Sequence, residues 1–392
     1  MLEFTEEQGL IRNEVQKICS EFDDRYWRER DRESEYPVEF VERLGEHGWL
    51  GTVIPEEYGG SGLDTLEAAI ILEEIAASGG GLNGAMSCHG AMFIPRSIIN
   101  YGSEYLKDMV LPKLASGEDL LQCFALTEPN AGFDSTAITT TAEKKGDKYV
   151  INGQKTWCSR LHASDWMVLV ARTSPKESID KKTHGLSLFL VNISESRDND
   201  SIDTQKIEKN IRSAVPSYEV WFNDLEIPNE NLIGEENNGF YQVMDGLNEE
   251  RVVIAAEAVG LARVAIERAV EYATEREVFG RPIGMNQAIQ HPLADAYTRM
   301  TSSRNITYQA ARAFKEGRDV GEAANVAAYM AREAASEATD TAVQTHGGYG
   351  IAVEYDVERF YREARMTRIA PVSDEMILNY IGEHVLDLPR SY

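Results

Sequence analysis

Two neighbouring carboxylates, Glu249 and Glu250, stand directly before an apolar run in the stretch GLNEERVVIAAEAVGLARVAIERAV, residues 246–270. A carboxylate in an enclosed site can accept a proton from carbon, because desolvation raises its pKa towards the working pH. Acidic residues in the first turn of a helix are also common, since they complement the helix dipole. Adjacent helical residues point about 100° apart, so the two side chains need not share a face. The pair predicts either one catalytic base or two ordinary solvated acids.

Four further features could bind a ligand, and each has a purely structural alternative. LTEPNAG offers the Thr127 hydroxyl and exposed amides, or it is a plain strand-ending turn. Trp157 lies on a predicted strand, where a lone tryptophan most often belongs to the core. The planar fork of Arg276 suits a diphosphate, although TEREVFGR could be a charged helix end closed by Gly280. The pair Gly347-Gly348 permits close approach to a phosphate, or caps a helix.

The spacing of apolar residues changes twice along the chain, which predicts three domains. Residues 1–120 show helical periodicity, and Thr5 with Gln8 predicts a capping box at its start. Residues 121–232 contain short β-rich runs, in which Asn152-Gly153 predicts a hairpin turn. Helical periodicity returns in residues 233–392 through alanine-rich stretches. We therefore predict a mainly α fold with a central β-domain, in the order helices, β-domain, helices.

Charge and composition exclude several classes of protein. The 39 basic and 65 acidic residues give a net charge of -26, which disfavours binding to nucleic acid or to anionic lipid. The N-terminus lacks a secretory signal pattern, and no segment approaches the roughly 18 apolar residues of a membrane span. Cys19, Cys88, Cys123 and Cys158 show no CxxC or ligand spacing, so no metal site is expected. We expect a soluble cytoplasmic protein.

Four stretches in one order resemble the acyl-CoA dehydrogenase family. They are LTEPNAGFDS (126–135), INGQKTWCS (151–159), REVFGRPIGMNQ (276–287) and QTHGGYGIAVEYDVERFYREAR (344–365). Each motif alone is modest, but together they span essentially the whole chain. The resemblance implies an N-terminal helical domain, a β-barrel-like middle domain and a C-terminal four-helix bundle. It also implies one FAD per subunit and a homotetramer.

Matching to the family implies the positions of the ligand-binding residues. Trp157 would pack near the flavin with the Ser159 hydroxyl facing the ring, and Arg276 and Gln287 would reach the cofactor of a neighbouring subunit. Phe133 stands where many relatives have a serine that contacts the acyl-CoA, and Arg251 matches an arginine near the substrate. The complete implied cofactor set is Phe124, Ala125, Leu126, Thr127, Trp157, Ser159, Arg276, Phe279, Gln287, Gln344, Gly347, Gly348, Ser373 and Glu375.

The position of the catalytic base separates two branches of the family. Many members carry it near the C-terminus in a Tyr-Glu-Gly-Thr motif, over which this chain places Ala370-Pro371-Val372-Ser373. Pro371 cannot take a proton. The isovaleryl-CoA and long-chain enzymes instead carry the base in a Leu-Asp-Leu-Glu-Arg pattern, which Leu247-Asn248-Glu249-Glu250-Arg251 resembles. We therefore predict that Glu250 is the base and that Glu249 is a surface acid.

The reaction implied by the resemblance is the dehydrogenation of an acyl-CoA to a trans-2-enoyl-CoA, with electrons passed to an electron-transferring flavoprotein. Two alternatives stay open: an enoyl-CoA reductase or related acyl-CoA flavoenzyme, and a flavin-binding paralogue without dehydrogenase activity, which Pro371 motivates. GLNGAMSCHGAM (residues 81–92) lacks an arginine for a second substrate carboxylate, which mildly disfavours dicarboxylic substrates. The base position slightly favours branched short chains. The acyl length itself is not readable from the sequence.

Overall fold

The N-terminal region is helical. The computed structural model describes residues 3–197, 200–211 and 213–390. The predicted capping box is confirmed, since the Thr5 hydroxyl accepts from the Gln8 amide and the Gln8 side chain accepts from the Thr5 amide. The helices are α1 Glu6–Cys19, α2 Asp24–Glu33, α3 Val38–Glu46, α4 Thr65–Ile75, α5 Gly81–Cys88, α6 Pro95–Tyr101 and α7 Glu104–Ser116.

A mostly antiparallel sheet follows, with strand order β6-β7-β3-β2-β4-β5-β8 and β1 paired parallel to β4. Alternate side chains of its strands pack into two apolar clusters, one on each face of the sheet. The strands are β1 Leu121–Ala125, β2 Thr141–Lys145, β3 Lys148–Ser159, β4 Trp166–Arg172, β5 Leu186–Asn192, β6 Ile202–Lys206, β7 Ser217–Pro228 and β8 Leu232–Ile233, with the short helix α8 Ile193–Arg197 after β5.

The predicted hairpin turn at Asn152-Gly153 is wrong. The chain turns between β2 and β3 at Gly146 and Asp147, and residues 152 and 153 lie inside β3. Gly153 (φ 151°) sits at an irregularity in the pairing of β3 with β7. A Cβ atom there would lie 2.6 Å from the Cα of Thr140. The glycine therefore permits a close approach of two chain segments within the sheet.

Long helices return in the C-terminal region, which confirms the predicted order of helices, sheet and helices. In the described ranges, none of the helices combines the length and apolarity that a bilayer span requires. The elements are α9 Gly239–Glu275, the hairpin of β9 Glu277–Val278 and β10 Arg281–Pro282, α10 Gln287–Lys315, α11 Gly321–His346, α12 Val357–Thr367 and α13 Asp374–Tyr380.

Helix α9 is the central element of the molecule, packed between the N-terminal helix α4 and the bundle helices α10 and α11. A Cβ atom at Gly260 of α9 would lie 2.4 Å from the carbonyl oxygen of Glu73 and 2.7 Å from the Cβ of Ala76. Only glycine allows the two helices to approach so closely. This contact fixes how α9 presents its side chains to the N-terminal helices.

Replacing Gly260 with alanine should destabilise the protein by about 1–3 kcal/mol, because the new methyl group meets backbone atoms of the adjacent segment. Gly246→Ala is a matched control on the same helix, where a Cβ atom meets nothing within 4 Å. It should stabilise by about 0.5–1 kcal/mol through helix propensity. Urea unfolding of both variants measures the difference, and equal midpoints would contradict the close approach.

Candidate active site

The carboxylate of Glu250 points into the protein. The helix that carries it begins at Gly239, about three turns earlier, so Glu250 is not at a helix start. The residue is 9% exposed, and its Oε1 atom lies 3.6 Å from Nε2 of His89. Val253 and Ile254, one turn further along, are buried. Glu250 is therefore an enclosed acid on the central helix α9.

His89 links Glu250 to a second acid of the same helix. Its Nδ1 atom lies 2.8 Å from Oε1 of Glu257, which is fully buried. Residues seven apart in a helix are two turns apart on one face, so Glu250 and Glu257 both reach the ring. Burial would lower the pKa of His89, but Glu257 and Glu250 raise it above its usual value. The sequence analysis singled out neither His89 nor Glu257. The seven-residue spacing of Glu250 and Glu257, which places them on one helix face, was a usable signal for Glu257.

Two guanidinium groups contribute positive charge near Glu250. Arg251 donates to the side chain of Asn248, at 2.6 Å. Arg332 of α11 is fully buried, and burial lowers its pKa to about 10 although Asp374 and Glu250 oppose this. Among the described residues, the Nε atoms of both arginines and Nη2 of Arg332 have no hydrogen-bond partner. The site therefore contains N–H donors that a bound molecule could use.

The segment that carries Pro371 lies against α11 through Arg332, whose Nη1 donates to the carbonyl oxygen of Val372 at 2.6 Å. Ser373 then caps α13, since its hydroxyl accepts from the amide of Met376. Glu375 is exposed in the first turn of that helix. This segment thus approaches the surroundings of Glu250 through Arg332, and Pro371 brings no acid–base group to it.

The prediction that Glu249 is a surface acid is wrong. The residue is 6% exposed, and its Oε1 accepts from the Thr65 hydroxyl at 2.6 Å and from Nε of Arg96 at 3.2 Å. Burial raises its pKa, and Arg96 and Thr65 partly offset that rise. The error arose from placing Glu249 in the first turn of its helix, where an acid is usually solvated. Helix α9 begins about three turns earlier, at Gly239, so Glu249 lies where the helix is packed against other elements. The two acids do face different partners.

A cavity of about 340 Å³ opens beside Glu249 between α6, α9 and the sheet. Phe124 lines one side of it, and Phe93, whose ring centroid lies 4.9 Å from that of His89, lines another. Arg96 also lines the cavity and is paired with Asp64 at 2.6 Å. The cavity is thus bordered by Phe124 of β1 and by Phe93, which packs against His89, and the acid among its lining residues is Glu249 rather than Glu250.

A buried ion pair holds the LTEP segment, which follows Phe124 and Ala125 at the end of β1. Nζ of Lys155 donates to Oε1 of Glu128 and to the carbonyl oxygen of Leu126, both at 2.9 Å. Burial would raise the pKa of Glu128, but Lys155 and hydrogen bonds from Thr139 and Thr140 lower it to about 2. The carbonyl oxygen of Thr127 accepts from the amide of Thr156 at 2.9 Å. The segment is therefore fixed to β3 immediately before Trp157.

Trp157 interrupts the regular strand and points outward. Its φ is 62°, within an irregularity in the β3–β7 pairing, and its side chain is 57% exposed. A bulky residue with positive φ is strained, and such strain concentrates at ligand-binding sites. The hydroxyl of Ser159, two residues on, lies 2.9 Å from that of Ser217. Phe133, in the loop after LTEPNAG, is also exposed with positive φ (61°).

A second cavity, of about 520 Å³, brings together Arg276, Gly347 and Gly348. A Cβ atom at either glycine would meet nothing within 4 Å, so the main chain there faces open space. Gln287 and Gln344 are exposed near these segments but do not line the cavity. Phe279 is fully exposed at the turn between β9 and β10. The geometry gathers the arginine and the glycines, and leaves the two glutamines and Phe279 at the surface.

Comparison with known proteins places the chain in a family. Family models describing the acyl-CoA dehydrogenase N-terminal, middle and C-terminal domains match residues 5–118, 123–225 and 237–386. The chain is 36% identical to acyl-CoA dehydrogenase FadE12 of Mycobacterium tuberculosis, over 99% of this chain and 98% of that protein. A structure of glutaryl-coenzyme A dehydrogenase with glutaryl-CoA superposes with a TM-score of 0.91 and 34% identity, covering 100% and 98% of the two chains.

A third relative carries a different name. The chain is 32% identical to a 3-(aryl)acrylate reductase of Clostridium sporogenes, over 98% of this chain and 99% of that protein. The protein belongs to the acyl-CoA dehydrogenase family of flavoprotein oxidoreductases and has the fold of that family. The resemblance and the fold class expected from the sequence are confirmed.

Lys155→Met should destabilise the protein by about 3–5 kcal/mol, because it leaves the buried Glu128 carboxylate unpaired. Lys148→Met on the same strand breaks the exposed pair with Glu226 and should cost about 1 kcal/mol or less. Urea unfolding measures both changes. Adding Glu128→Gln to Lys155→Met should recover part of the loss. Similar costs for the two lysine variants would show that the buried pair does not hold the LTEP segment.

Proposed function

We propose that the protein catalyses the FAD-dependent α,β-dehydrogenation of an acyl-CoA thioester to a trans-2-enoyl-CoA, with Glu250 as the base. The observation that carries the proposal is the enclosed carboxylate of Glu250, 3.6 Å from His89. The competing base position holds Pro371, which has no acid–base function. Membership of the family supplies the class of reaction, and the contacts of Glu250 supply the residue.

The described residues fit an FAD. The exposed indole of Trp157 offers a flat surface beside Leu126 and Thr127, whose carbonyl groups are held in place by β3. The cavity at Arg276 and Gly347-Gly348 offers a planar cation and open main chain, which suit a diphosphate. When bound, the flavin accepts the hydride from the substrate β-carbon. The other residues of the implied cofactor set stay predictions.

Glu250 would take the proton from the carbon next to the thioester carbonyl. Negative charge then develops on the thioester oxygen, and N–H donors aimed at it would stabilise the transition state. Arg251 and Arg332 carry N–H groups with no partner among the described residues. Buried Val253 and Ile254 limit the access of water to the carboxylate from the next turn of α9. The chain thus provides a base, positive charge and an apolar enclosure.

The cavity beside Glu249 is the candidate acyl pocket. Apolar lining by Phe93, Phe124 and Leu247 suits a hydrocarbon chain. Arg96 lies just beyond the stretch in which sequence reasoning sought an arginine, and it does line the cavity. It is already paired with Asp64 and Glu249, so it does not offer an uncompensated charge to a second substrate carboxylate. We therefore keep the preference for monocarboxylic acyl groups.

Exposed apolar residues support assembly into the homotetramer that the family implies. Phe279 is fully exposed at the hairpin tip, and Ile351 and Val353 are largely exposed in the segment that follows Gly347-Gly348. An exposed apolar patch typically marks a protein–protein contact. Burial of these side chains by a neighbouring subunit would place that subunit beside the diphosphate cavity. Apart from this assembly, the electron acceptor that the family implies is an electron-transferring flavoprotein.

The alternative function is the reverse reaction, reduction of an enoyl-CoA or a related acrylate. The identity to the 3-(aryl)acrylate reductase favours it, since that relative also covers nearly the whole chain. Glu250 would then deliver a proton to the α-carbon. Reduced flavin that is reoxidised faster by an enoyl-CoA than by an electron-transferring flavoprotein would support this direction.

Glu250→Gln should slow flavin reduction by a saturated acyl-CoA by about 100- to 10,000-fold, because glutamine cannot accept the proton. The measurement is anaerobic bleaching of the flavin absorbance with a panel of straight and branched acyl-CoAs. Glu271→Gln, at an exposed acid further along the same helix, should retain bleaching. A fully active Glu250→Gln variant would refute the assignment of the base, and wild-type protein that no acyl-CoA bleaches would favour a paralogue without dehydrogenase activity.

A further inference from the structure

Glu257 is a fully buried carboxylate that has a single hydrogen-bond partner in the part of the chain that the structure describes. Its Oε1 atom lies 2.8 Å from Nδ1 of His89, while Oε2 has no partner among the described residues. Burying an ionised carboxylate is costly unless a positive charge compensates it. His89 is the group in direct contact, and it is itself buried. The pair is therefore most stable as an imidazolium facing a carboxylate.

The other nitrogen of the same ring faces the base. Nε2 of His89 lies 3.6 Å from Oε1 of Glu250, which is an ion-pair contact rather than a full hydrogen bond. A protonated ring has N–H groups on both nitrogens, so it can donate to Glu257 and point a second N–H at Glu250. The positive charge that Glu257 stabilises on the His89 ring therefore lies next to the carboxylate of Glu250.

We propose that His89, held in its protonated form by Glu257, is a positioning residue that keeps Glu250 ionised and oriented for proton abstraction. The inference rests on the proposed function, because it assumes that Glu250 is the base. It goes further by assigning roles to two residues that neither the sequence motifs nor the family resemblance singled out.

Other charged groups also face this cluster. Arg251 and Arg332 act on Glu250 from α9 and α11, and Asp374 faces Arg332. Cys88 lies near Glu257, and burial raises the pKa of its thiol, so it stays neutral. Each arginine bonds through one N–H, Arg251 to Asn248 and Arg332 to Val372, and Glu257 does not act on either of them. His89 is the cation of the cluster whose charge depends on Glu257.

The effect on the pH dependence has a definite sign. A cation beside a carboxylate favours its ionised form, so His89 extends the activity of the base to lower pH. Glu257 and Glu250 raise the pKa of His89, so the imidazolium is present below that raised value and is lost as the pH rises through it. Replacing the His89 cation by a neutral side chain should therefore move the acid limb of the rate–pH profile to higher pH.

The experiment is stopped-flow reduction of the FAD-loaded enzyme by a saturated acyl-CoA across pH, for His89→Gln, Glu257→Gln and the double variant. His89→Gln should move the acid limb upward by about one to three pH units, with most of the rate regained at high pH. Glu257→Gln should move it in the same direction, because it removes the anion that keeps His89 protonated. The double variant should shift no further than His89→Gln. His47→Gln, at an exposed histidine after α3, should match the wild type.

Two outcomes would overturn the proposal. Acid limbs that superimpose on the wild-type limb in both single variants would show that His89 does not act on the base. Rates lowered equally at every pH would show a merely structural role. If His89→Gln does not fold, Glu257→Gln alone decides between these outcomes. Full activity of Glu250→Gln is a separate result, which would remove the base assignment itself.

Discussion

The proposed reaction depends on one acid, Glu250, that buried helices enclose. An uncompensated carboxylate at such an interface would be protonated or would destabilise the fold. Glu250 meets this constraint through cations on three segments: His89 before α6, Arg251 on its own helix and Arg332 on α11. Those segments come from both ends of the chain. The need for cations around the Glu250 carboxylate therefore couples the N-terminal helices to the C-terminal bundle.

The rest of the architecture brings these groups and the ligand-binding segments together. Gly260 lets α9 approach α4, and this fixes the face on which Glu250 and Glu257 meet His89. On the sheet side, the buried pair of Lys155 and Glu128 fixes the turn before Trp157. The Gly260 contact depends on close approach and the Lys155–Glu128 pair on burial. A small change at either should therefore shift the side chains of the site. Rigid elements thus hold the groups to which we assign the reaction, as catalysis by positioning requires.

Part of this arrangement was predictable from the sequence. The capping box at Thr5 and the order of helices and strands are local patterns, and the structure confirms them. Asn152-Gly153 is also a local pattern, but the pairing of β3 with β7 and the approach of Thr140 overrode it. Glu249 was misplaced because the start of α9 has no side-chain cap to signal it. His89 and Glu257 could not be paired by local reasoning, since 168 residues separate them. The roles of Glu250 and of the cofactor set stay predictions.

The most direct test of the central claim is exchange of substrate α-protons, measured apart from hydride transfer. The FAD-loaded enzyme is incubated in deuterium oxide with an acyl-CoA analogue that cannot be oxidised at the β-carbon, and NMR follows loss of the α-proton signal. We expect wild-type protein and the exposed control Glu271→Gln to catalyse the exchange and Glu250→Gln to leave the signal unchanged. Undiminished exchange by Glu250→Gln would show that another group removes the proton, and would contradict this account of the site.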